Sequence, residues 1–162
     1  AAGELGHIVI RVDGRPCTCG RHGCWEAYSS ATGLINMTKE KIEECKQTGR
    51  ETVMTRLVAE KGKVNGRTAF DGKRLGDAAA CEVVDEYIKY LASGIASMIN
   101  IFQPEVLSIG GGISNEGQYL LDLVIPKVHE QQYGTGLVPM TDIRIAQLRN
   151  DAGIIGAAVL GM

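Results

Sequence analysis

Several things this sequence has little of narrow its class before any motif is read. Aromatic residues make up 5% of it, with one tryptophan and two phenylalanines, so there is no platform on which successive bases could stack. Neither sign of charge prevails: 17 Lys and Arg stand against 19 Asp and Glu, a net charge of −2. No broad basic field therefore invites nucleic acid or an acidic membrane. No apolar run reaches the roughly 20 residues of a membrane span. Repeats and low-complexity stretches are missing too. No secretory leader is read at the start, so the five cysteines are expected to be cytoplasmic thiols, most of them on a metal. An initiator methionine is also missing. The chain opens on Ala1-Ala2-Gly3-Glu4, directly before its densest motif. A native domain seldom begins on its own site, so a piece of a longer chain is expected. What is present is 162 residues, 44% hydrophobic and 22% charged, the composition of one soluble globular domain with a real core.

The stretch that organises the chain is Gly6 to Glu26, GHIVIRVDGRPCTCGRHGCWE. It carries His7, Cys17, Cys19 and Cys24, with Gly20 and Gly23 among the thiols. Zinc takes four N or S donors in a tetrahedron, and three cysteines with one histidine form a standard structural set. Cys17 and Cys19 are too close in sequence to bridge without strain. Gly20 and Gly23 permit the positive φ that a tight knuckle needs. The spacing departs from that of common zinc fingers, so a reactive thiol cluster or a strained loop of reduced cysteines stands beside the zinc reading. His22 lies inside the knuckle as a competing ligand.

Along the chain, His7 to Val12 reads as a strand ending at the Asp13-Gly14 turn. Cys24 to about Met37 reads as a helix broken at Gly33, Lys39 to Gln47 as a second, and Thr52 to Glu60 as a third. Lys61 to Gly76 reads as a charged surface region with one helical turn near Thr68. Asp77 is placed to N-cap a helix running to Phe102. On it Ala80, Val84, Tyr87, Leu91, Ile95, Met98 and Phe102 form one apolar stripe. Gln103-Pro104 ends that helix, and Glu105 to Ile109 is a strand. Gly110-Gly111-Gly112 comes at once after it, then a helix from about Asn115 to Gln131 that Pro126 should kink or divide. Strand, glycine turn and helix in that order can offer backbone N–H groups to a ligand, although a glycine triplet after a strand is also a common tight turn. Asp142 to Leu148 is another strand. Asn150-Asp151 caps a last helix, Ala152 to Leu160, which is apolar on every side and expected to be buried. The alternation predicts an α/β layered domain with parallel pairing toward the C-terminus and a hairpin-like strand at the N-terminus.

Three groups of residues carry a family resemblance. They are Glu4-Leu5-Gly6-His7 with Cys17-Thr18-Cys19-Gly20 and Gly23-Cys24-Trp25-Glu26, then Pro104 to Ile113 (PEVLSIGGGI), then Asn150 to Ala158 (NDAGIIGAA). Together they resemble the signature of the ROK family of sugar kinases and repressors, over almost the whole chain. The family's N-terminal lobe carries a phosphate loop and an Asn-Asp pair whose Asp is the catalytic base, and neither is present here. The resemblance therefore implies that residues 1–162 are the C-terminal lobe of an actin-like ATPase, a ribonuclease H-like sugar kinase fold, with a zinc knuckle near the N-terminus.

The resemblance also implies zinc on His7, Cys17, Cys19 and Cys24, and sugar contacts from Glu4, His7 and Glu26. Imidazole has two nitrogens, so one can ligate metal while the other meets a hydroxyl. In a straight strand positions 4 and 7 would face opposite sides, so Gly6 must turn the backbone for them to converge. For Glu26 the bland alternative is a solvated carboxylate at a helix start. By the same resemblance Gly110, Gly111 and Gly112 lie against ATP. The implied activity is transfer of the γ-phosphoryl group of Mg-ATP to the 6-hydroxyl of a hexose, glucose first, by a cytoplasmic homodimer. No catalytic residue is expected in this chain. Kinases for N-acetylmannosamine, N-acetylglucosamine or fructose, a sugar-sensing repressor bound to DNA through upstream sequence, and a zinc-held structural or dimerisation domain are the alternatives. His129, Cys45 and Cys81 read as structural, and Trp25 as packing the knuckle on the core.

Overall fold

The computed structural model describes residues 3–134, 136–148 and 151–160. They divide into two compact units, Ala1–Leu91 and Ala92–Met162, whose boundary falls inside one long helix.

The first unit is an irregular N-terminal segment followed by helices. Helix α1 (Glu26–Ser29) is a single turn, and α2 (Ala31–Thr48) comes after Ser30. The break falls at Ser30 rather than at Gly33, because Ser30 Oγ accepts from Gly33 N at 3.0 Å and starts α2 as its N-cap. Past it the two predicted helices fuse into one. Gly33 stays inside because a Cβ there would meet Ala27 O at 2.9 Å. Helix α3 (Val53–Lys61) starts on Thr52, whose hydroxyl accepts from Met54 N at 3.2 Å. The region predicted as charged surface contains α4 (Thr68–Arg74), in which Phe70 and Ala69 are fully buried. A seven-residue helix is too short for periodicity to reveal its inner face.

Helix α5 (Ala78–Phe102) has the predicted bounds. Asp77 caps it, accepting from Ala80 N at 2.7 Å. Ala80, Val84, Tyr87, Leu91, Ile95 and Met98 of its apolar stripe are buried. Phe102 is 63% exposed and leaves the stripe at the helix end. In the first unit Tyr28, Leu34, Met37, Met54, Phe70, Val84 and Tyr87 form the core. Tyr87 Oη donates to Ser29 O at 2.9 Å, which fixes the end of α1 on α5.

In the second unit β1 (Val106–Ile109) and β2 (Asp142–Ile145) pair in parallel, with Val106 opposite Asp142 and Ile109 opposite Ile145. Between them run a 3₁₀ turn, Gly112–Glu116, and α6 (Gln118–His129). Parallel strands need such a crossover. Pro126 does not divide α6: the helix runs through it, and Pro126 O still accepts from Glu130 N at 3.1 Å. Pro126 withholds only its own N–H, and Glu130 N still closes the last turn on Pro126 O.

Two further expectations fail. Residues 5–12 form no strand. Leu5–His7 is a 3₁₀ turn, and the segment after it pairs only through isolated antiparallel bridges, Val9 to Cys24 and Pro16 to His22. The weak alternation of Ile and Val gives way to the demands of the knuckle. The last helix, α7 (Ala152–Val159), is not buried: Ile154 is 73% and Val159 52% exposed. An all-round apolar helix signals a need for cover, which the described residues of its unit do not meet. Asn150, predicted as its cap, lies outside the described residues, and Asp151 makes no side-chain cap bond.

Candidate functional site

The 3₁₀ turn at Leu5–His7 settles how positions 4 and 7 can cooperate. His7 N donates to Glu4 O at 3.0 Å. Glu4 is the N-cap of the turn, so its backbone is held one turn before His7. A Cβ on Gly6 would lie 3.4 Å from Glu26 Cβ, so the turn sits directly against the start of α1. Glu26 then completes the group, with Oε2 3.8 Å from His7 Nδ1 and 3.7 Å from Cys17 Sγ. Glu4 and Glu26 are exposed and His7 is half-buried. Glu26 thus stands beside the imidazole, while Glu4 is tied to His7 through the backbone.

Beside them lies the predicted ligand set. His7, Cys17, Cys19 and Cys24 bring their donor atoms within 4.8 Å of one another. His7 Nδ1 is 3.5 Å from Cys17 Sγ, and the sulfurs of Cys19 and Cys24 are 3.6 Å apart. A zinc tetrahedron with Zn–S of about 2.3 Å and Zn–N of about 2.0–2.1 Å has edges of about 3.8 Å (S to S) and about 3.6 Å (S to N). Two of the separations fall near those edges while the whole set spreads to 4.8 Å, so the four residues have the donor chemistry of a metal site and could hold an ion. His22, the competitor, is exposed and is not one of the four converging residues.

Close backbone crossings shape the knuckle. Gly20 and Gly23 have φ of +86° and +77°, as the sequence suggests. At Gly23 a Cβ would lie 1.7 Å from Arg11 O, so only glycine lets the neighbouring segment cross there. Cys17 N donates to Arg21 O, and Gly20 N to Cys17 O, closing the turn around the sulfurs. Trp25 anchors the knuckle from below, donating Nε1–H to Tyr90 O at 3.0 Å. Two of the thiols differ in acidity. The backbone N–H and guanidinium of Arg21 pull Cys19 down to about 6. Burial pushes Cys24 up to about 11. Arg21 is the residue that sequence reasoning passed over. A lone cation among three ligand cysteines was the available signal.

A cleft of about 320 Å³ opens beside the cluster, lined among others by Cys17, Thr18, Glu26, Ser30 and Asn36. A larger hollow, about 840 Å³ between α2 and α3, holds none of the predicted site residues. The carboxylates and the cluster, not cavity size, mark the chemistry.

The glycine triplet lies in the other unit. Gly111 has φ +74° and ψ −170°, a conformation reserved for glycine, and its carbonyl accepts from Ser114 N and Oγ. A Cβ at Gly111 or Gly112 would meet no atom within 4 Å, so packing does not demand Gly112. The backbone face there is open to an approaching group.

The chain belongs to the ROK family, whose profile matches residues 1–162. Its fold is that of ROK sugar kinases, of the actin-like ATPase type. It is 38% identical to a glucokinase of Halalkalibacterium halodurans over 98% of this chain and 47% of the relative. It is also 26% identical to a xylose repressor of Bacillus spizizenii, over 82% of this chain and 29% of that protein. Among solved structures it resembles a ROK family glucokinase from Streptomyces griseus in complex with glucose and AMPPNP. The TM-score is 0.85 at 30% identity, covering 99% of this chain and 51% of that one. The chain thus spans about half the length of the glucokinases it matches. Among the described residues no helix is long and apolar enough to cross a membrane.

Proposed function

We propose that this chain is the sugar- and zinc-binding C-terminal lobe of an ATP-dependent hexose kinase that phosphorylates the 6-hydroxyl of glucose. The observation that carries the reading is the gathering of His7, Cys17, Cys19 and Cys24 within 4.8 Å, with Glu26 beside His7 and Glu4 one turn before it. Similarity to a glucokinase that binds glucose and AMPPNP supplies the substrate pair. Carboxylates that each accept from neighbouring hydroxyls give register on a sugar ring. Bound zinc would take His7 by Nδ1, the nitrogen nearest Cys17, and would fix the ring orientation. That leaves Nε2 to meet a sugar hydroxyl. Gly110, Gly111 and Gly112 would form part of the nucleotide floor, offering backbone rather than side chains.

Phosphoryl transfer needs an acceptor hydroxyl aligned with the γ-phosphate and a base to take its proton. Glu4 and Glu26 are assigned to holding ring hydroxyls, so the base belongs to the other half of a kinase of this length. The working protein is a cytoplasmic homodimer in this reading. In a coupled ATP/glucose assay the 162-residue chain alone should show background activity, with sugar binding in the millimolar range or weaker. A handful of solvated hydrogen bonds at about 1 kcal/mol each supports no more. Adding the separately expressed N-terminal half should restore turnover, and Glu4→Gln should remove it again. Robust phosphorylation by the chain alone would overturn the division of labour. The similarity to xylose repressors supports a second reading, a sugar-sensing repressor. Sugar binding without any phosphorylation in the complete protein would favour it.

A further inference from the structure

The sulfur atoms of the cluster are not equivalent, and their differences describe a reaction as well as a ligand set. Cys19 is the exposed thiol, Cys24 is buried, and Cys17 is intermediate. Cys19 Sγ lies 3.6 Å from Cys24 Sγ. Cys17 is turned to other partners, its Sγ 3.5 Å from His7 Nδ1 and 3.7 Å from Glu26 Oε2. One residue separates Cys17 from Cys19, too short a loop for an unstrained bridge. Four residues separate Cys19 from Cys24, two of them glycine. The Cys19 and Cys24 sulfurs would have to close by about 1.5 Å to reach the S–S length of a disulfide. The backbone shows which of them moves. A Cβ on Gly20, next to Cys19, would meet no atom within 4 Å, whereas one on Gly23, next to Cys24, would lie 1.7 Å from Arg11 O. The Cys24 end is held, and the Cys19 end borders open space.

We propose that Cys19 is an oxidative modification site whose reactant is a peroxide, with Cys24 as the thiol that completes the reaction. The two residues sort into these roles by position. Attack on peroxide needs exposure, which Cys19 has; the second thiol needs proximity and shelter, which Cys24 has. The Cys19 sulfur attacks one oxygen of hydrogen peroxide, the O–O bond breaks, water leaves, and Cys19 becomes a sulfenic acid. Cys24 then attacks that sulfur, the S–OH bond breaks, and a second water leaves. Two thiols and one peroxide thus become one disulfide and two waters. The thiols together lose two electrons to the peroxide oxygens, and their two protons end on the waters.

Disulfide and metal exclude each other. Structural zinc needs four donors, and a Cys19–Cys24 bridge removes two of them, leaving His7 and Cys17. This half of the proposal rests on the metal reading above; the thiol chemistry does not. His7 also stands in the proposed sugar site, and in the bridged form no metal fixes its ring. Peroxide is thereby linked to sugar binding. The link is reversible, because thiol–disulfide exchange with a reducing dithiol returns both cysteines.

The test treats the complete protein, as purified and after chelation, with hydrogen peroxide, and maps the thiols by differential alkylation and mass spectrometry. In the chelated wild type the first product should be the Cys19–Cys24 disulfide. Cys45 and Cys81, which stand on α2 and α5 and are not among the four converging residues, should stay reduced meanwhile. In the loaded protein one zinc ion, read with a chromophoric chelator, should leave per disulfide formed, and dithiothreitol should reverse both changes. Cys24→Ser should stop the reaction at Cys19, where a dimedone adduct reports the sulfenic acid. Cys17→Ser should still form the disulfide. The wild-type map stands even where a variant fails to fold. A first disulfide that includes Cys17, oxidation of Cys81 before Cys19, or a wild-type Cys19 that reaches sulfinic acid while Cys24 stays reduced would overturn the proposal. So would zinc kept by protein already in the disulfide form. A purified wild type without zinc would instead defeat the metal reading, and the mapped disulfide then decides the thiol chemistry by itself.

Discussion

Asp77 should be the most costly polar side chain to truncate in the first unit, because one carboxylate starts two helices. The residue is 9% exposed. Oδ1 accepts from Ala80 N at 2.7 Å at the head of α5 and from Thr52 Oγ1 at 3.1 Å. Oδ2 accepts from Val53 N at 2.7 Å in the first turn of α3. Asp77→Ala removes all three bonds and strands two helix-end donors that have no other partner within their helices. Each lost cap costs about 1 kcal/mol. The Ala80 N–H is buried, so leaving it unmade adds on the order of 1 kcal/mol more. The sum is about 3 kcal/mol, a large fraction of ordinary domain stability. Asp77→Asn keeps one carbonyl oxygen but turns an amide N–H toward the other donors, so about half that loss is expected. Thr52→Ala should cost about 1 kcal/mol, and the double variant with Asp77→Ala should lose less than the sum, since the two share a bond. The assay is urea unfolding followed by Trp25, the only tryptophan, which sits in the same unit and is bonded to Tyr90 O. The midpoint should fall with the slope unchanged. A midpoint shift in Asp77→Ala worth under about 0.5 kcal/mol would refute the double-cap account.

Removal of the metal should act locally. Residues 4–25 hold a 3₁₀ turn, two isolated bridges and no strand ladder, whereas the core of the unit lies on α1–α5. Chelation should therefore speed amide exchange in residues 4–25 and leave α2 unchanged; melting of the whole unit would contradict that division. Acid should expose a different dependence. Arg50 at 2.8 Å, then Lys41 at 3.0 Å, hold the Glu82 carboxyl down at about 2, below the ordinary value near 4.3 in an unfolded chain. Its stabilising contribution is thus complete above about pH 4.3 and is lost as pH falls toward 2. With the side chain 48% exposed, solvent screening keeps it under about 1 kcal/mol. An NMR titration of Glu82 with a midpoint near 4 would count against the pairing.

The long helix and the parallel pair were legible because their signals are strong and local. An apolar period of three to four over 25 residues has one helical solution. The Asp77 cap could be read from residue type and position; its second role on α3 could not, since that bond spans 24 residues. The Cys/His cluster was legible for a different reason. Cys17, Cys19 and Cys24 fall within eight positions, so proximity in sequence nearly guarantees proximity in space. His7 was grouped with them by donor chemistry and then by resemblance, and its Nδ1 lies 3.5 Å from Cys17 Sγ. What misled was the stretch between His7 and Cys17. Its Ile and Val suggest a strand, yet β-propensity records fit to a pleated neighbour, and here the only neighbour is the knuckle itself.

The error at α7 and the error at Arg21 have a common physical origin. Hydrophobicity and charge are properties of one residue, while burial and pairing are properties of two surfaces. For α7, apolarity on every side demanded a partner, and the prediction of burial silently supplied one; Leu160 at 87% exposed shows that the described chain does not. For Arg21 the inference ran the other way. A surface arginine asked for nothing, so nothing was assigned to it. Yet its bond to His7 O depends on a fold in which a 3₁₀ turn has brought His7 back beside the thiols. The same turn bonds His7 N to Glu4 O and seats Gly6 against Glu26. One local choice, a turn in place of a strand at Leu5–His7, therefore sets Glu26 beside His7, brings the imidazole to the sulfurs and offers Arg21 its carbonyl. A substitution that restored extended backbone there would separate all three at once, even with every ligand residue still present.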